Sequence, residues 1–221
     1  MGKAPGNTLT SNSLQRSVTT LNDFADSGIA YFHQVLFQQR QISPACQAGC
    51  AYCCHGPVHP TPVEVLNIVH YINSSAISPD QRADLRQRMH ERRIVIGKLT
   101  VSEQLLQTIP CPFLLTGRCG IYAVRPLCCR GRNVLDAAPC IAGFKDPTRQ
   151  QQYEIIQEQT LISQCLAFSI LDALQKRGLP YQFVDLSQAT MLAFDTPDLI
   201  DRWLGGDNLL AEAELRPHSA G

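Results

Sequence analysis

The positions of the cysteines constrain this chain more than any other feature of its sequence. Thiolates are soft donors that suit zinc and iron–sulfur clusters, and paired zinc ligands are usually separated by about two to four residues. The spacings from Cys46 to Cys50 and from Cys50 to Cys53 fall in that range. Two remote groups of cysteines indicate a fold that brings distant segments together around an inorganic centre. The first group is Cys46, Cys50, Cys53 and Cys54, and the second is Cys111, Cys119, Cys128 and Cys129.

Composition narrows the class of protein further. The chain has 221 residues, of which 44% are hydrophobic and 17% charged, and its 19 basic and 19 acidic residues cancel. A neutral chain gives no electrostatic reason to expect nucleic acid or an anionic membrane as a partner. No apolar run reaches the roughly 20 residues of a membrane span, and residues 1–20 lack the apolar stretch of a secretory signal. We therefore expect a cytoplasmic, bacterial protein, in whose reducing compartment clustered cysteines indicate metal or redox chemistry more often than disulfides.

Helical periodicity dominates the rest of the sequence. Apolar residues between Leu14 and Leu36 recur at helical spacing and predict a long amphipathic helix over 13–41. Thr61-Pro62-Val63-Glu64 and Ser78-Pro79-Asp80-Gln81 each combine an N-cap, a proline and an N3 acceptor, which is typical of a helix start. The predicted fold class is mainly α, a helical bundle in a single domain of residues 13–213. Further helices are expected over 102–107, 148–177, 187–194 and 197–204, with a disordered segment at 1–12 and a loose tail at 214–221.

The cysteine segments are predicted to be irregular. Glycine and proline make 45–60 a loop, in which Gly49 eases the turn between two thiols. The stretch 109–122 is typical of a small hairpin with its turn at 116–118, which would bring Cys111 close to Cys119. Residues 131–147 are expected to be irregular as well. The helices would then hold a cysteine-rich, metal-binding element within 46–130.

These motifs resemble the CxxCxxCC cysteine-cluster family of YkgJ-like proteins, described as zinc- or iron-chelating. The resemblance covers residues 46–130 and includes Cys111-Pro-Phe-Leu, Gly117-x-Cys-x-Ile-Tyr122 and Arg125-Pro-x-x-Cys129-Arg130. One departure concerns the first spacing, which is Cys-x3-Cys here and one residue longer than the family name implies, so Cys46 is the least secure ligand. Matched residue by residue, the resemblance implies metal ligation by Cys46, Cys50, Cys53, Cys54, Cys111, Cys119 and Cys129.

The identity of the metal and the number of centres stay open. Four cysteines suit zinc, and they also suit a [4Fe–4S] cluster. Seven candidates exceed four, so they indicate either one four-thiolate site with spare thiols or two centres that share the loops. Adjacent Cys53 and Cys54 point in different directions, so they could serve different ions, or one of them could be buried packing. Cys128, Cys140 and Cys165 match no position of the motif: Cys165 is expected to be buried core, and Cys140 is as compatible with packing as with ligation.

Several other side chains near the cysteines have two interpretations. His55 is a candidate ligand or a support for one, whereas His59 is expected to be a loop histidine exposed to water. Arg125 is expected to hydrogen-bond loop carbonyls, and Arg130 either does the same or offsets thiolate charge. Tyr122 is expected in the core, and Glu64 is expected to cap a helix.

Three functions are compatible with this sequence. The first is a metal-binding protein that coordinates zinc or iron, including an iron–sulfur cluster, without catalysis of its own. The second is a cluster-dependent, protein-modifying enzyme, since the resemblance extends to the cysteine motif of a flagellin lysine methylase. The third is a metal-stabilised module that binds an unknown protein partner through the two long helices. No nucleotide-binding, zinc-protease or nucleophile-elbow motif occurs, so no catalytic residue is predicted.

Overall fold

Helices dominate the computed structural model, which describes residues 9–47, 49–74 and 77–215. This architecture confirms the prediction of a mainly α fold with a small hairpin. Residues 1–8 and 216–221, parts of the segments 1–12 and 214–221 that were expected to be disordered or loose, lie outside the described residues. Glu214 and Leu215 are not loose: Glu214 forms a bridge with Val184, and the Leu215 N–H donates to the Phe183 carbonyl at 2.9 Å. The elements are α1 Ser11–Arg40, α2 Pro62–Ser74, α3 Pro79–Ile96, α4 Val101–Leu105, β1 Leu114–Leu115, β2 Arg118–Cys119, α5 Leu127–Arg130, α6 Ala138–Lys145, α7 Gln157–Gln175, α8 Leu186–Phe194 and α9 Leu199–Leu204, with 3₁₀ turns at Tyr52–His55, Tyr122–Val124 and Ala211–Ala213.

The first helix begins slightly earlier than its apolar pattern predicts. Thr10 and Ser13 form a reciprocal capping box, so Ser11 and Asn12 are already helical although residues 1–12 were expected to be disordered. The helix ends at Arg40, where Gln41 adopts a left-handed conformation with φ 56°. Local hydrogen bonds at Thr10 therefore set a boundary that hydrophobic periodicity alone does not show.

The capping signals locate the starts of α2 and α3 correctly. The Glu64 carboxylate accepts hydrogen bonds from the Thr61 backbone N–H and hydroxyl, each at 2.8 Å. Ser78 and Gln81 form the predicted capping box of α3, which ends at Ile96. These helices begin where expected because each cap is made by residues adjacent in sequence.

Two expectations about residues 131–177 are wrong. Residues 138–145 form the helix α6, which has a proline in its first turn and whose Ala138 N–H is bound by the Asp136 carboxylate at 2.9 Å. The second long helix begins at Gln157, not at residue 148. Residues before Gln157 are held extended because the Leu135 N–H donates to the Glu154 carbonyl at 2.8 Å and Asn133 accepts from the Ile156 N–H at 2.5 Å. A contact remote in sequence thus overrides the local helical pattern.

The buried apolar side chains form two clusters. In the first cluster, α1 and α7 pack together over α2, with α8 and α9 closing it around Trp203, which is fully buried. In the second cluster, the other faces of α2 and α8 pack with α3 and with the hairpin, around Ile68 and Met89. Cys111, Cys119, Cys128 and Cys129 pack against this second cluster, so the cysteine element forms part of the core.

The hairpin is present but shorter than predicted. Its strands pair antiparallel with Leu114 opposite Cys119 and Leu115 opposite Arg118. Thr116 and Gly117 form the turn with φ values of 46° and 78°, a conformation that glycine adopts readily. Within the described part of the chain, no helix is long and apolar enough to cross a membrane.

Candidate metal centre

The first cysteine segment is a loop that tightens into a 3₁₀ turn. Cys53 and Cys54 lie within the turn Tyr52–His55, and the Cys54 N–H donates to the Ala51 carbonyl at 3.0 Å. Gly49 has φ 91°, which agrees with the expectation that glycine eases the turn between Cys46 and Cys50. The Ala45 N–H donates to the Val134 carbonyl at 2.8 Å, which fixes the start of the loop beside the chain that leads into α6.

The second cysteine segment docks directly on the first. The Cys111 N–H donates to the Cys54 carbonyl at 2.7 Å, and the Ile109 N–H donates to the His55 carbonyl at 3.0 Å. Pairing of Leu114 with Cys119 then returns the hairpin towards the same turn. The short helix α5 carries Cys128 and Cys129. Main-chain hydrogen bonds therefore bring together segments more than 50 residues apart in sequence.

Arginines from several elements hold the carbonyls of these loops. Arg92 of α3 donates to the carbonyls of Ile109 at 2.5 Å, Pro110 at 3.0 Å and Gly56 at 3.2 Å, and so links the two cysteine loops. Arg132 donates to the carbonyls of Cys53 at 3.1 Å and Pro57 at 2.9 Å. Neither arginine belongs to a cysteine motif, and nothing in the sequence beyond their charge indicates either role.

The roles expected for Arg125 and Tyr122 are corrected by the structure. The buried Arg130, which is 2% exposed, donates to the carbonyls of Arg125 at 3.0 Å and Ala123 at 2.8 Å and pairs with Asp26. Arg125 instead lies over the Tyr122 ring at 3.9 Å. Tyr122 is 62% exposed, not core, because its ring covers this guanidinium at the surface. Of the two arginines that flank Cys128 and Cys129, Arg130 is therefore the one that binds loop carbonyls.

Glu64 connects a helix cap to the second cysteine segment. One carboxylate oxygen caps α2, as predicted, and the other accepts from the Leu127 N–H at 2.6 Å, at the start of α5. Burial raises the pKa of Glu64, whereas the hydrogen bonds from Leu127 and Thr61 and the charge of Arg130 oppose that rise. This carboxylate thus sets the position of the helix that carries Cys128 and Cys129.

Cys54 and the cysteines of the second segment are half-buried, and their thiols affect one another's ionisation. Burial raises the pKa of the Cys111 thiol to about 12, and the charges of Cys129 and Cys119 act in the same direction. The pKa of Cys129 is raised by its hydrogen bond with Cys128 and by burial. The pKa of Cys54 is raised by its hydrogen bond with Cys53, by burial and by the charges of Cys53, Cys111 and Cys129. Closely packed thiols of this kind ionise together only when a cation compensates their charge.

A second set of thiols surrounds Cys53. The hydrogen bond with Cys54 lowers the pKa of Cys53, and the charge of Arg132 acts in the same direction. Burial raises the pKa of Cys140 to about 11, and the charges of Cys46, Cys53 and Cys50 add to the rise. Burial also raises the pKa of Cys46, to which the charges of Cys50 and Cys53 contribute. Cys140 therefore lies within electrostatic reach of the first cysteine segment, although no motif predicted it.

A groove of about 910 Å³ runs past these thiols. Phe144, Tyr153, Phe168 and Phe183 contribute aromatic side chains to its walls, and Arg132 and Arg149 contribute positive charge. Its thiol-bearing wall is formed by Cys46, Cys50, Cys53, Cys128 and Cys140. The groove gives these cysteines direct access to solvent and to a ligand.

The two histidines of the first segment differ from expectation in one respect. The His55 ring is half-buried, with Nδ1 3.0 Å from the Ala51 carbonyl oxygen and an edge contact to Phe144 at 4.7 Å. These contacts fit a supporting role better than ligation by that nitrogen. His59 was expected to be exposed to water, but it is half-buried in the groove wall, and burial lowers its pKa.

The structure brings all seven predicted thiols into one region, with Cys128 and Cys140 beside them. Cys165 is exposed on α7, so its expected place in the core is wrong: that helix turns Ser163, Ala167 and Ile170 inwards instead. All ten cysteines, each within the described ranges, are free thiols. Among the described residues, no three or more His, Cys, Asp or Glu side chains are yet arranged to hold one metal ion.

The donor chemistry nevertheless fits zinc or iron. Soft sulfur atoms from two segments converge, and Arg92, Arg125 and Arg132 place positive charge near Cys111, Cys119 and Cys53 respectively. The fold and this site define a class: a mainly helical protein built around a cysteine cluster. The chain belongs to the CxxCxxCC family, described as "Putative zinc- or iron-chelating domain", whose family model matches residues 45–160. No curated protein and no solved structure matches the chain.

Proposed function

We propose that this protein binds zinc or iron, including iron in an iron–sulfur cluster, through thiolates of its two cysteine segments. The observation that carries the proposal is the hydrogen bond from the Cys111 N–H to the Cys54 carbonyl, 2.7 Å long, which joins the segments at their cysteines. Family membership supports a metal of this kind. The proposed ligands are drawn from Cys46, Cys50, Cys53, Cys54, Cys111, Cys119 and Cys129.

The chain's own groups prepare the thiols for such a metal. Arg92 and Arg132 hold the loop carbonyls and so fix the backbone from which the thiols project. Packing against the second apolar cluster restricts water around Cys111, Cys119 and Cys129. A bound metal would supply the positive charge that lets these thiols remain ionised together. The thiols must stay reduced, so we place the protein in the cytoplasm as part of the proposal.

Anaerobic purification followed by metal analysis tests the proposal. We expect zinc or iron to copurify with the chain, and visible charge-transfer absorption would identify thiolate-bound iron. Cys50→Ser and Cys119→Ser should each lower the metal content, whereas Cys165→Ser, at the exposed cysteine of α7, should leave it unchanged. Retention of full metal content and stability by Cys50→Ser or Cys119→Ser would show that the substituted thiol is not a ligand.

The groove favours a second candidate, a cluster-dependent enzyme that modifies proteins. Its volume of about 910 Å³ and its aromatic walls are sufficient for a substrate side chain beside Cys46, Cys53 and Cys140. The metal-loaded protein should then transfer a labelled methyl group from S-adenosylmethionine to a lysine-containing protein. Absence of transfer with loaded protein, under conditions in which metal is bound, would leave the non-catalytic function as the better account.

A further inference from the structure

We propose that the thiols form two metal centres: an outer centre of Cys46, Cys50, Cys53 and Cys140 on the groove, and an inner centre of Cys54, Cys111, Cys119 and Cys129. The proposal rests on the proposed function. It goes beyond that function in stating that there are two centres and that Cys140, which is outside the family motif, is a ligand. The first observation behind the proposal is where each thiol lies relative to the groove.

The outer four cysteines share the groove wall. Cys46, Cys50, Cys53 and Cys140 all line it, and Cys46 and Cys53 are exposed residues. Among the described residues that line this groove, none is a member of the inner set. The outer set therefore borders the groove, whereas Cys111, Cys119 and Cys129 of the inner set pack against the second apolar cluster.

The helix α6 brings Cys140 to the outer set. Phe144, one turn further along α6, contacts His55 at 4.7 Å and Tyr52 at 5.7 Å, so the helix packs on the turn that carries Cys53. The Ala45 N–H, donating to Val134, holds the opposite end of the first segment beside the same stretch of chain. Cys140 thus approaches Cys46 and Cys53 from a separate element and is a fourth thiol on this wall of the groove.

The inner four cysteines are joined by the backbone and by the core. The Cys111 N–H donates to the Cys54 carbonyl at 2.7 Å, and Cys119 lies on the strand that pairs with Leu114 three residues beyond Cys111. Cys111, Cys119 and Cys129 pack against the second apolar cluster. A metal held here would be a structural staple between the turn, the hairpin and α5.

The turn Tyr52–His55 explains how neighbouring cysteines can serve separate centres. A 3₁₀ helix has about three residues per turn, so consecutive side chains project about 120° apart. Cys53 faces the groove, whereas Cys54 carries the carbonyl that receives Cys111. Their thiols hydrogen-bond each other, so Cys53 and Cys54 lie where the outer and inner sets meet, and the proposal assigns one to each centre.

Cys128 is the competitor to Cys140. It lines the groove and also packs against the second cluster, beside Cys129. If Cys128 completed the outer set, that centre would lie against α5. The helix α6 would then contribute no ligand. Substitution of each cysteine separately distinguishes the two arrangements.

Anaerobic titration of the reduced, metal-free full-length chain with Co²⁺ counts the centres. Thiolate-to-cobalt absorption should rise to two equivalents of Co²⁺ per chain in the wild type and in the control Cys165→Ser. In Cys140→Ser the absorption should stop rising at one equivalent of Co²⁺. The thermal unfolding midpoint of this Co²⁺-loaded variant should equal that of the Co²⁺-loaded wild type, because the inner centre is intact. Cys119→Ser should also lose one equivalent, with a marked fall in that midpoint. If Cys119→Ser fails to fold, Cys140→Ser decides the question alone.

The remaining outcomes overturn the proposal in distinguishable ways. Binding of a single equivalent by the wild type, unchanged in Cys140→Ser, would refute the division while leaving the proposed function intact. No thiolate-to-cobalt absorption in the wild type would refute the proposed function itself. Two equivalents in Cys140→Ser, with one in Cys128→Ser, would assign the outer centre to Cys128. The same titration with Zn²⁺, followed by chelation with EDTA, should release one equivalent readily and the second slowly, because only the outer centre faces the groove.

Discussion

Glu64 joins the start of α2 to the start of α5 through hydrogen bonds from Thr61 and Leu127. In Glu64→Gln an NH₂ group replaces one of the two carboxylate oxygens. This NH₂ group then faces the N–H or hydroxyl of Thr61, or the N–H of Leu127, and cannot accept its hydrogen bond. Leaving a buried donor unsatisfied costs about 1–3 kcal/mol, so we expect the free energy of unfolding to fall by about that amount. Chemical denaturation of the two proteins measures the difference.

The same carboxyl group gives a pH dependence whose sign is set by burial. Burial raises the pKa of Glu64 above its ordinary value of 4.5, so the folded protein binds the proton more tightly than the unfolded chain. The contribution of Glu64 to stability is therefore full below pH 4.5 and decreases as pH rises towards the folded pKa, and it is constant above it. Glu64→Gln lacks this titration. A stability difference between wild type and variant that grows with rising pH would contradict the assignment.

Individual residues show both the reach and the limits of sequence reasoning. Short spacing singled out Cys46, Cys50 and Cys53, because paired ligands need short separations, and the family resemblance supplied the other four candidates. The Thr61–Glu64 cap was evident because both partners lie within four residues. Cys140 carries no such spacing, since its neighbours in space come from a segment about 90 residues earlier. Cys165 was misplaced because α7 has apolar side chains on more than one face, with Leu161 and Phe168 exposed at 54% and 61%.

At the scale of elements, α3 holds both cysteine loops through hydrogen bonds from Arg92 to their carbonyls. Arg92→Met keeps an unbranched apolar stem but removes the donors to the carbonyls of Ile109, Pro110 and Gly56. Loss of several buried hydrogen bonds to a charged group should lower the free energy of unfolding by about 2–4 kcal/mol. It should also weaken Co²⁺ binding, since both loops lose a shared anchor, and titration of folded variant measures that effect.

Arg86 of the same helix provides the matched control. It pairs with Asp195 at 2.6 Å, but the two side chains are 53% and 49% exposed. Exposed ion pairs contribute at most about 1 kcal/mol, so Arg86→Met should change stability little and Co²⁺ affinity not at all. Equal effects of the two substitutions on Co²⁺ affinity would show that α3 does not act through the loops.

The contact between α5 and α7 depends on a glycine directly after α5. A Cβ atom on Gly131 would lie 2.8 Å from Cβ and 3.0 Å from Oγ of the buried Ser163. Gly131→Ala should therefore force the helices apart and cost about 1–3 kcal/mol. Gly56→Ala is the control, because its Cβ would meet only Arg132 Nη1, at 3.8 Å. Thermal denaturation compares the two, and equal midpoints would contradict a close approach of α5 and α7.

Elements defined by adjacent residues were predictable, and elements defined by remote contacts were not. The starts of α2 and α3 follow from caps within four residues, and the hairpin follows from its turn at Gly117. The late start of α7 could not be predicted, because Asn133 and Leu135 hold residues 154–156 extended from 20 residues away in sequence. The start of α6 had a local signal, Asp136 before Pro139, that the irregular composition of 131–147 obscured.

At the scale of the whole molecule, only one of the two apolar clusters includes cysteines. The first cluster draws on α1, α2, α7, α8 and α9 and on Leu127 of α5, and no cysteine is among the described residues that form it. The second cluster packs directly against Cys111, Cys119, Cys128 and Cys129. Bound metal suppresses the local openings that break the site, whereas a local opening elsewhere leaves the ligands in place. The two clusters should therefore respond unequally to metal removal.

Hydrogen exchange of the metal-loaded chain before and after EDTA treatment tests this difference. We expect the backbone amides of residues 50–58 and 109–121 to exchange at least tenfold faster without metal, since the loops lose their common anchor and expose the second cluster. Amides in the middle of α1 and α7 should keep their protection, because burial of residues such as Val18 and Ile170 does not involve a thiol. Addition of Zn²⁺ should restore the slow rates. A uniform loss of protection across α1, α7 and the loops would instead show that the chain folds as one unit around its metal.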